Sequence, residues 1–382
     1  MASHRNSRLN ATDVIGECID KLHERRRAVR EQGMDSLVAA LEGFVPADDI
    51  DHRYFTVFDR CCASLRKGGA PEAALAYRAI GLLALTAGDA TDVNCSKDIY
   101  NKALPVVRVT LQAPSSGVET MVAALDCLAA VTLGGAPRPL NATSAMRAAT
   151  GVIRRAGDDT PPEVVTAALS AFALLLTTIG DGGVDLKSYT SSFKEAMVPF
   201  QDLVKLLDSN NPSVVMAAGE LVAVCAELNL TKLYSPEDMD AIETKVLDLA
   251  TGASGDMMPT EQLQAEFFQK IADIVCQDER PQTEESIAAS SSSGRGVLRE
   301  STWARLVQLS FLKRFLGKGF RKHFQDNPRF RPEEDTSVAT DEDDEPTAKK
   351  AWRHGGGKGK QWTSAMRRDR DIVWESKNQY HY

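Results

Sequence analysis

Five proline-led, alanine-rich apolar segments recur along the chain, opening at Pro71, Pro114, Pro161, Pro212 and Pro259, with spacings of 43, 47, 51 and 47 residues. The first four read PEAALAYRAIGLLALTAG, PSSGVETMVAALDCLAAVTLGG, PPEVVTAALSAFALLLTTIGDG and PSVVMAAGELVAVCAELN. Proline suits the first turn of a helix, where its missing N–H costs nothing. Gly88, Gly134 and Gly180 would suit the left-handed residue after the last turn. Each segment is apolar nearly all round, so as a helix it must be buried on more than one side. Between them lie amphipathic stretches at about 50–67, 99–111, 143–156, 191–208 and 236–249. Buried helices alternating with amphipathic ones at a period in the mid-forties are the arithmetic of an armadillo- or HEAT-like α-solenoid; the alternative is a compact helical bundle with coincidental spacing. No segment alternates with period two, so the expected fold is all-α, without strands.

The rest of the chain is organised around that array. Thr12 or Asp13 can cap a first helix whose apolar face is Ile15, Cys18, Ile19 and Leu22, and Gly33 is expected to bend it into a second helix over 34–44. The array and its cap then occupy 1–282. A Ser/Gly-rich flexible linker is expected at 283–296, a helical segment at 297–331, and a disordered tail, acidic then basic, at 332–382. Seven cysteines, an odd number with no CxxC pair, sit mostly in apolar runs and read as reduced core residues. The N-terminus has no apolar signal core. The longest uncharged apolar stretch, 167–180, falls short of the roughly 20 residues that a bilayer requires, so no membrane partner is expected.

Residues able to do chemistry are scattered. His23-Glu24 is followed by three arginines, which is no HExxH zinc helix, and the six histidines lack ligand spacing. GxSxG, GxxxxGK[ST] and GxGxxG are all absent. The run HGGGKGK, 354–360, lacks the spacing of a phosphate loop and reads as a flexible basic spacer. No catalytic residue, metal, cofactor or small-molecule substrate is expected. The run Arg25-Arg26-Arg27 can be read as a phosphate contact or as a solvated helix surface, and the second reading is the simpler.

Charge points elsewhere. The formal net charge of -8 divides into 28 basic against 41 acidic residues before Trp303 and 17 against 12 from there onward. The stretch STWARLVQLSFLKRFLGKGFRKHFQDNP, 301–328, holds a leucine-rich helical pattern that Ser301 can cap. Its anchors are Trp303, Leu306, Leu309, Phe315 and Leu316, and Gly317 and Gly319 break it. Docking on the last repeat accounts for the leucines. It leaves seven cations, Lys313, Arg314, Lys318, Arg321, Lys322, Arg329 and Arg331, within 19 residues, interleaved with Phe320, His323, Phe324 and Phe330. Cations with interleaved rings suit RNA phosphates and unstacked bases, with Arg367, Arg368 and Arg370 as a second patch.

The run W-x-x-L-V-Q-L-x-F-L-K-R-F-L-G-x-G-F-x-x-H-x-Q-x-N, from Trp303 to Asn327, resembles the C-terminal signature of the interferon-related developmental regulator family. Upstream, IDKLHERRRAVREQGMDSLVAAL is similar to that family's opening helix pair, which an armadillo-like domain follows. The resemblance covers about 12–330. It implies a non-enzymatic protein of cytoplasm and nucleus whose partners are the translationally inactive 80S ribosome, through rRNA and ribosomal proteins, or transcriptional corepressor complexes. A C-terminal helix in family members enters the mRNA path. After Pro328 this chain departs from the pattern: an acidic block, 333–345, and the Gly-rich AWRHGGGKGKQW precede SAMRRDRDIVWESK.

Overall fold

In the computed structural model, the described residues run from 13 to 330, apart from 51–52, 88–93, 114–115, 136–141, 158, 180–190, 252–258, 278, 280, 282, 289–294, 301 and 328–329. The chain opens with α1 (Val14–His23) and α2 (Arg27–Glu42), followed by the single turn α3 (Ala47–Ile50). Helix pairs then alternate: α4 (Tyr54–Lys67) with α5 (Ala70–Thr86), α6 (Asn94–Gln112) with α7 (Val118–Gly135), and α8 (Ala142–Arg155) with α9 (Pro162–Thr177). The short α10 (Ser191–Ala196) and α11 (Phe200–Leu207) precede α12 (Pro212–Glu227), and α13 (Pro236–Thr251) pairs with α14 (Pro259–Gln277). The architecture is an all-α, solenoid-like array. Helices α2, α5, α7, α9, α12 and α14 pack side by side in that order as an inner row, while α4, α6, α8, α11 and α13 each lie chiefly against one member of it.

The two layers follow from residue pattern. On α9 every residue from Ala171 to Thr177 is buried, as is nearly all of α5 beyond Ala79, because these helices have neighbours on both flanks and behind. The outer helices bury one stripe; α11 keeps only Leu203 and Leu207 inside. Helix α7 is long and apolar enough to cross a membrane. It carries Glu119 and Asp126, however, and packs between α5, α6 and α9 as a core helix. Prolines open the inner helices as expected at Pro71, Pro212 and Pro259, with Asn211 capping α12 through its side chain, while Pro161 stands one residue before α9, which Pro162 opens. Pro114, Gly88 and Gly180 lie outside the described residues. Six cysteines are buried, whereas Cys276 is exposed.

Several expectations are corrected. Gly33 does not bend the chain: the break falls at 24–26, and α2 runs through Gly33, where a Cβ would stand 2.7 Å from Lys21 Cβ. The glycine lets α1 and α2 cross closely. Gly134 is likewise inside its helix, and a Cβ there would meet the Ala84 carbonyl oxygen at 2.6 Å, so it sets the α5–α7 approach. The stretch 191–208 splits in two because Pro199 disfavours helical backbone at the preceding residue and caps α11 instead. Strands do occur: β1 (Thr283–Ala288) and β2 (Arg295–Glu300) form an antiparallel hairpin, Thr283 opposite Glu300 and Ala288 opposite Arg295, with β1 in the stretch expected as linker and β2 running from its end into the segment expected as helical. Pairing satisfies backbone groups that a free linker leaves to water, and Thr283, Ile287 and Val297 favour extended backbone.

One ion pair fixes the start of the array. Arg30 on α2 holds the Glu72 carboxylate of α5 through Nε and Nη2 at 3.0 and 3.1 Å, and that carboxylate has no exposure. Gly134→Ala should force α5 and α7 apart, costing about 1–3 kcal/mol. Thermal denaturation followed by circular dichroism should show a midpoint lower by about 2–4 °C per kcal/mol. An unchanged midpoint would show that the two helices can separate without loss.

Candidate nucleic-acid interface

The segment singled out in the sequence forms a third layer on the array. Helix α15 (Trp303–Leu316), a 3-10 turn (Gly317–Gly319) and α16 (Phe320–Asp326) run back from the last repeats to the first, against the inner row. Polar contacts mark the path. At its start the Glu227 carboxylate, on the last residue of α12, accepts from the backbone N–H groups of Trp303 and Ala304 at 3.0 and 2.7 Å. Thr302, not Ser301, is the helix cap, and its hydroxyl accepts from Arg305 N–H at 3.3 Å. A carboxylate at a helix N-terminus also meets the positive end of the helix dipole. Next, Gln308 Nε2 donates to Thr177 Oγ1 of α9 at 2.9 Å, with both side chains buried. Arg314 then forks onto Asp126 of α7, two bonds of 2.7 Å each.

The far end is tied as closely. Arg78 of α5 pairs with Glu42 of α2 and donates to the Phe315 carbonyl oxygen at 3.0 Å, covering an unsatisfied helix end. Gly317 takes φ 52°, the left-handed region that favours glycine, and turns the chain. Gly319 meets α2 so closely that a Cβ would stand 1.7 Å from the Glu42 carbonyl oxygen. His323 is fully buried and bonds the Leu41 carbonyl oxygen through Nε2 at 2.9 Å. Asn327 donates to Leu85 O at 3.0 Å and lies 3.4 Å from His323 Nδ1. Burial pushes the His323 imidazole below its ordinary pKa, against the hydrogen bonds to Leu41 and Glu42.

This geometry divides the residues named from sequence. Trp303, Leu309, Phe315 and Leu316 are buried anchors, and Leu306 is half-buried against the core. His323 belongs to the docking and not to an open RNA surface, its ring sealed inside, whereas Arg314 stays exposed with its guanidinium engaged by Asp126. The aromatic rings are corrected in the same way. Phe320 packs 4.5 Å from Phe324, Phe324 stacks on Phe330 at 5.5 Å, and Phe44 meets His323 edge-on at 5.4 Å. They hold α16 in place and present no platform for bases. Lys318, Arg321 and Lys322 are exposed on the outward side of the turn and α16, Lys322 beside Asp326, and Lys313 is half-exposed. Arg329, Arg331, Arg367, Arg368 and Arg370 lie outside the described residues. What the arrangement offers chemically is a rigidly mounted group of exposed cations. Sequence reading missed Glu227, Asp126 and Asn327, whose roles depend on partners far along the chain.

Glu220 of α12 lies within electrostatic reach of Arg314, and burial raises its carboxyl to about 7, with the guanidinium opposing only in part. Because the folded-state value exceeds the ordinary one, the folded protein retains a proton that the unfolded chain releases, and stability falls as pH rises towards and past 7. Glu220→Gln should therefore stabilise the protein by about 1–3 kcal/mol at pH 8, with the gain vanishing near pH 4. Urea unfolding at the two pH values measures this. Trp303→Ala should cost about 3–5 kcal/mol in the same assay.

Comparison with known proteins places the array. Residues 3–273 match the family described as Interferon-related developmental regulator (IFRD). The chain is also 27% identical over 338 residues to Interferon-related developmental regulator 2 of Mus musculus, an alignment that covers 84% of this chain and 72% of the relative.

Proposed function

We propose a ribosome-associated role on one premise: the chain belongs to the interferon-related developmental regulator family. In this reading the protein is a non-enzymatic factor that associates with translationally inactive 80S ribosomes and represses or preserves them. The observation that carries it is the exposed trio Lys318, Arg321 and Lys322, mounted on a docked segment whose apolar and polar anchors leave these side chains to solvent. Before Trp303 the chain is acidic by 13 charges, so an rRNA backbone is repelled from most of its surface and drawn to such local cations. With the neighbouring rings packed inside, recognition is by phosphate and shape and not by base stacking.

Reversing Lys318, Arg321 and Lys322 to Glu should abolish co-sedimentation with 80S monosomes while leaving the helical circular dichroism unchanged, because none of the three anchors the docking. Each lost phosphate contact should lower the log–log salt slope by about 0.7 to 0.9. Wild-type protein should move further into the monosome fraction when translation is stopped. Retention of the reversed variant at unchanged salt sensitivity would remove these cations from the interface. Wild-type protein found only in nuclear complexes, and in no ribosomal fraction, would favour the corepressor-scaffold reading.

A further inference from the structure

The triple-arginine run has a setting that its sequence does not reveal. Arg25 and Arg26 lie in the turn between α1 and α2, and Arg27 starts α2. The turn is held from inside. Arg30 donates through Nη1 to the Arg25 carbonyl oxygen at 2.8 Å and to that of Glu24 at 3.4 Å, while its other edge grips the buried Glu72 carboxylate. Arg27, paired with Glu31 at 2.7 Å, lies over Gly69, where a Cβ would stand 2.3–2.7 Å from its guanidinium atoms. Gly68-Gly69 follow Arg66 and Lys67, the last two residues of α4. The α1–α2 and α4–α5 turns therefore meet at Arg27.

Arg25, Arg26, Arg66 and Lys67 are all exposed, and none has an ion pair among the described residues. Of the acids nearby, the buried Glu72 is engaged by Arg30 and Glu31 by Arg27, while Glu24 is exposed. Helices α2 and α5 also both start here without a side-chain cap. A solvated helix end accounts for one arginine run. It does not account for a buried ion pair fixing the carbonyls of that run, nor for two further unpaired cations brought beside it from another helix.

We propose that these two turns form a second polyanion-binding surface, which takes the phosphodiester backbone of RNA without reading its sequence. The cations lie on two separate turns, which suits a chain of phosphates better than one phosphate group. Neither turn carries an aromatic residue, so bases find no stacking face there. Neither carries an exposed large apolar side chain to enter a lipid surface. The spacing is also informative. Helix α2 has 16 residues, and Lys318 and Arg321 sit at its opposite end, beside Glu42, so the two cationic surfaces stand about 24 Å apart along one rigid helix. The choice of RNA as the polyanion rests on the ribosome reading, whereas the surface itself does not.

The test uses the full chain, a fluorescein-labelled single-stranded RNA and fluorescence anisotropy over a salt series. Changing Arg25, Arg26, Arg66 and Lys67 to Glu should weaken binding at low salt by tenfold or more, on the order of three units of salt slope for four contacts. Helicity should be unchanged. The four-alanine variant guards against misfolding from charge reversal and should show the same loss of slope. The variant Lys318→Glu/Arg321→Glu/Lys322→Glu of the turn and α16, measured alongside, separates the two claims. Loss of RNA binding only in the α1–α2/α4–α5 variants upholds this surface and defeats the assignment to Lys318, Arg321 and Lys322, and loss only in the variant of those three does the reverse. Wild-type affinity and slope in the four-alanine variant would overturn the proposal. So would an effect confined to vesicles of anionic phospholipid, which would make the surface a membrane contact.

Discussion

A helix that is apolar on every side needs cover on every side, and this constraint organises the molecule. Inner helices α5, α7, α9 and α12 have neighbours along the row and an outer helix behind, which leaves one face open. The C-terminal segment supplies cover for that face with large aromatic side chains: Trp303, Phe311 and Phe315 insert along the row, and Phe315 rests where Gly81 leaves room for its ring. The segment is thus part of the core of the array. It is not an appendage reaching away from it.

Polar groups set the register of that cover. Apolar burial alone would tolerate sliding by a turn, because leucines recur along α15 and small residues recur along the inner row. Glu227, Thr177, Asp126, Arg78, Leu41 and Leu85 each offer a partner at one place only, and each sits on a different stretch of the row. A slip would strand Gln308, His323 and Asn327 in apolar surroundings without acceptors, at a cost of about 1–3 kcal/mol apiece. The exposed cations of the turn and α16 gain a fixed position as a result.

Electrostatics divides the surface in a complementary way. The chain before Trp303 carries a net charge of -13, whereas the exposed cations Arg25, Arg26, Lys318 and Arg321 stand at the two ends of α2. Like-charge repulsion over the acidic faces and attraction at these two places would orient an anionic partner before any close contact forms.

Sequence alone determined the helices. The 3.6-residue periodicity, the proline-led starts and the recurrence near 47 residues are local properties, and local backbone chemistry is enough to place α5, α9, α12 and α14 nearly to the residue. It also identified Trp303, Leu309, Phe315 and Leu316 as anchors, because large apolar side chains at helical spacing must be buried somewhere. What it could not settle was which cations are free. Arg314 and Lys318 look alike in sequence, and only the fold sets Asp126, 188 residues away, opposite the first and solvent opposite the second. The roles of Gly33 and Gly134 were hidden for the same reason: a close approach between helices is a property of two segments, and neither segment states it. The hairpin after α14 escaped because six-residue strands with little alternation become stable only when a partner strand satisfies their backbone. Tertiary structure decided every question whose answer lay in a partner distant along the chain.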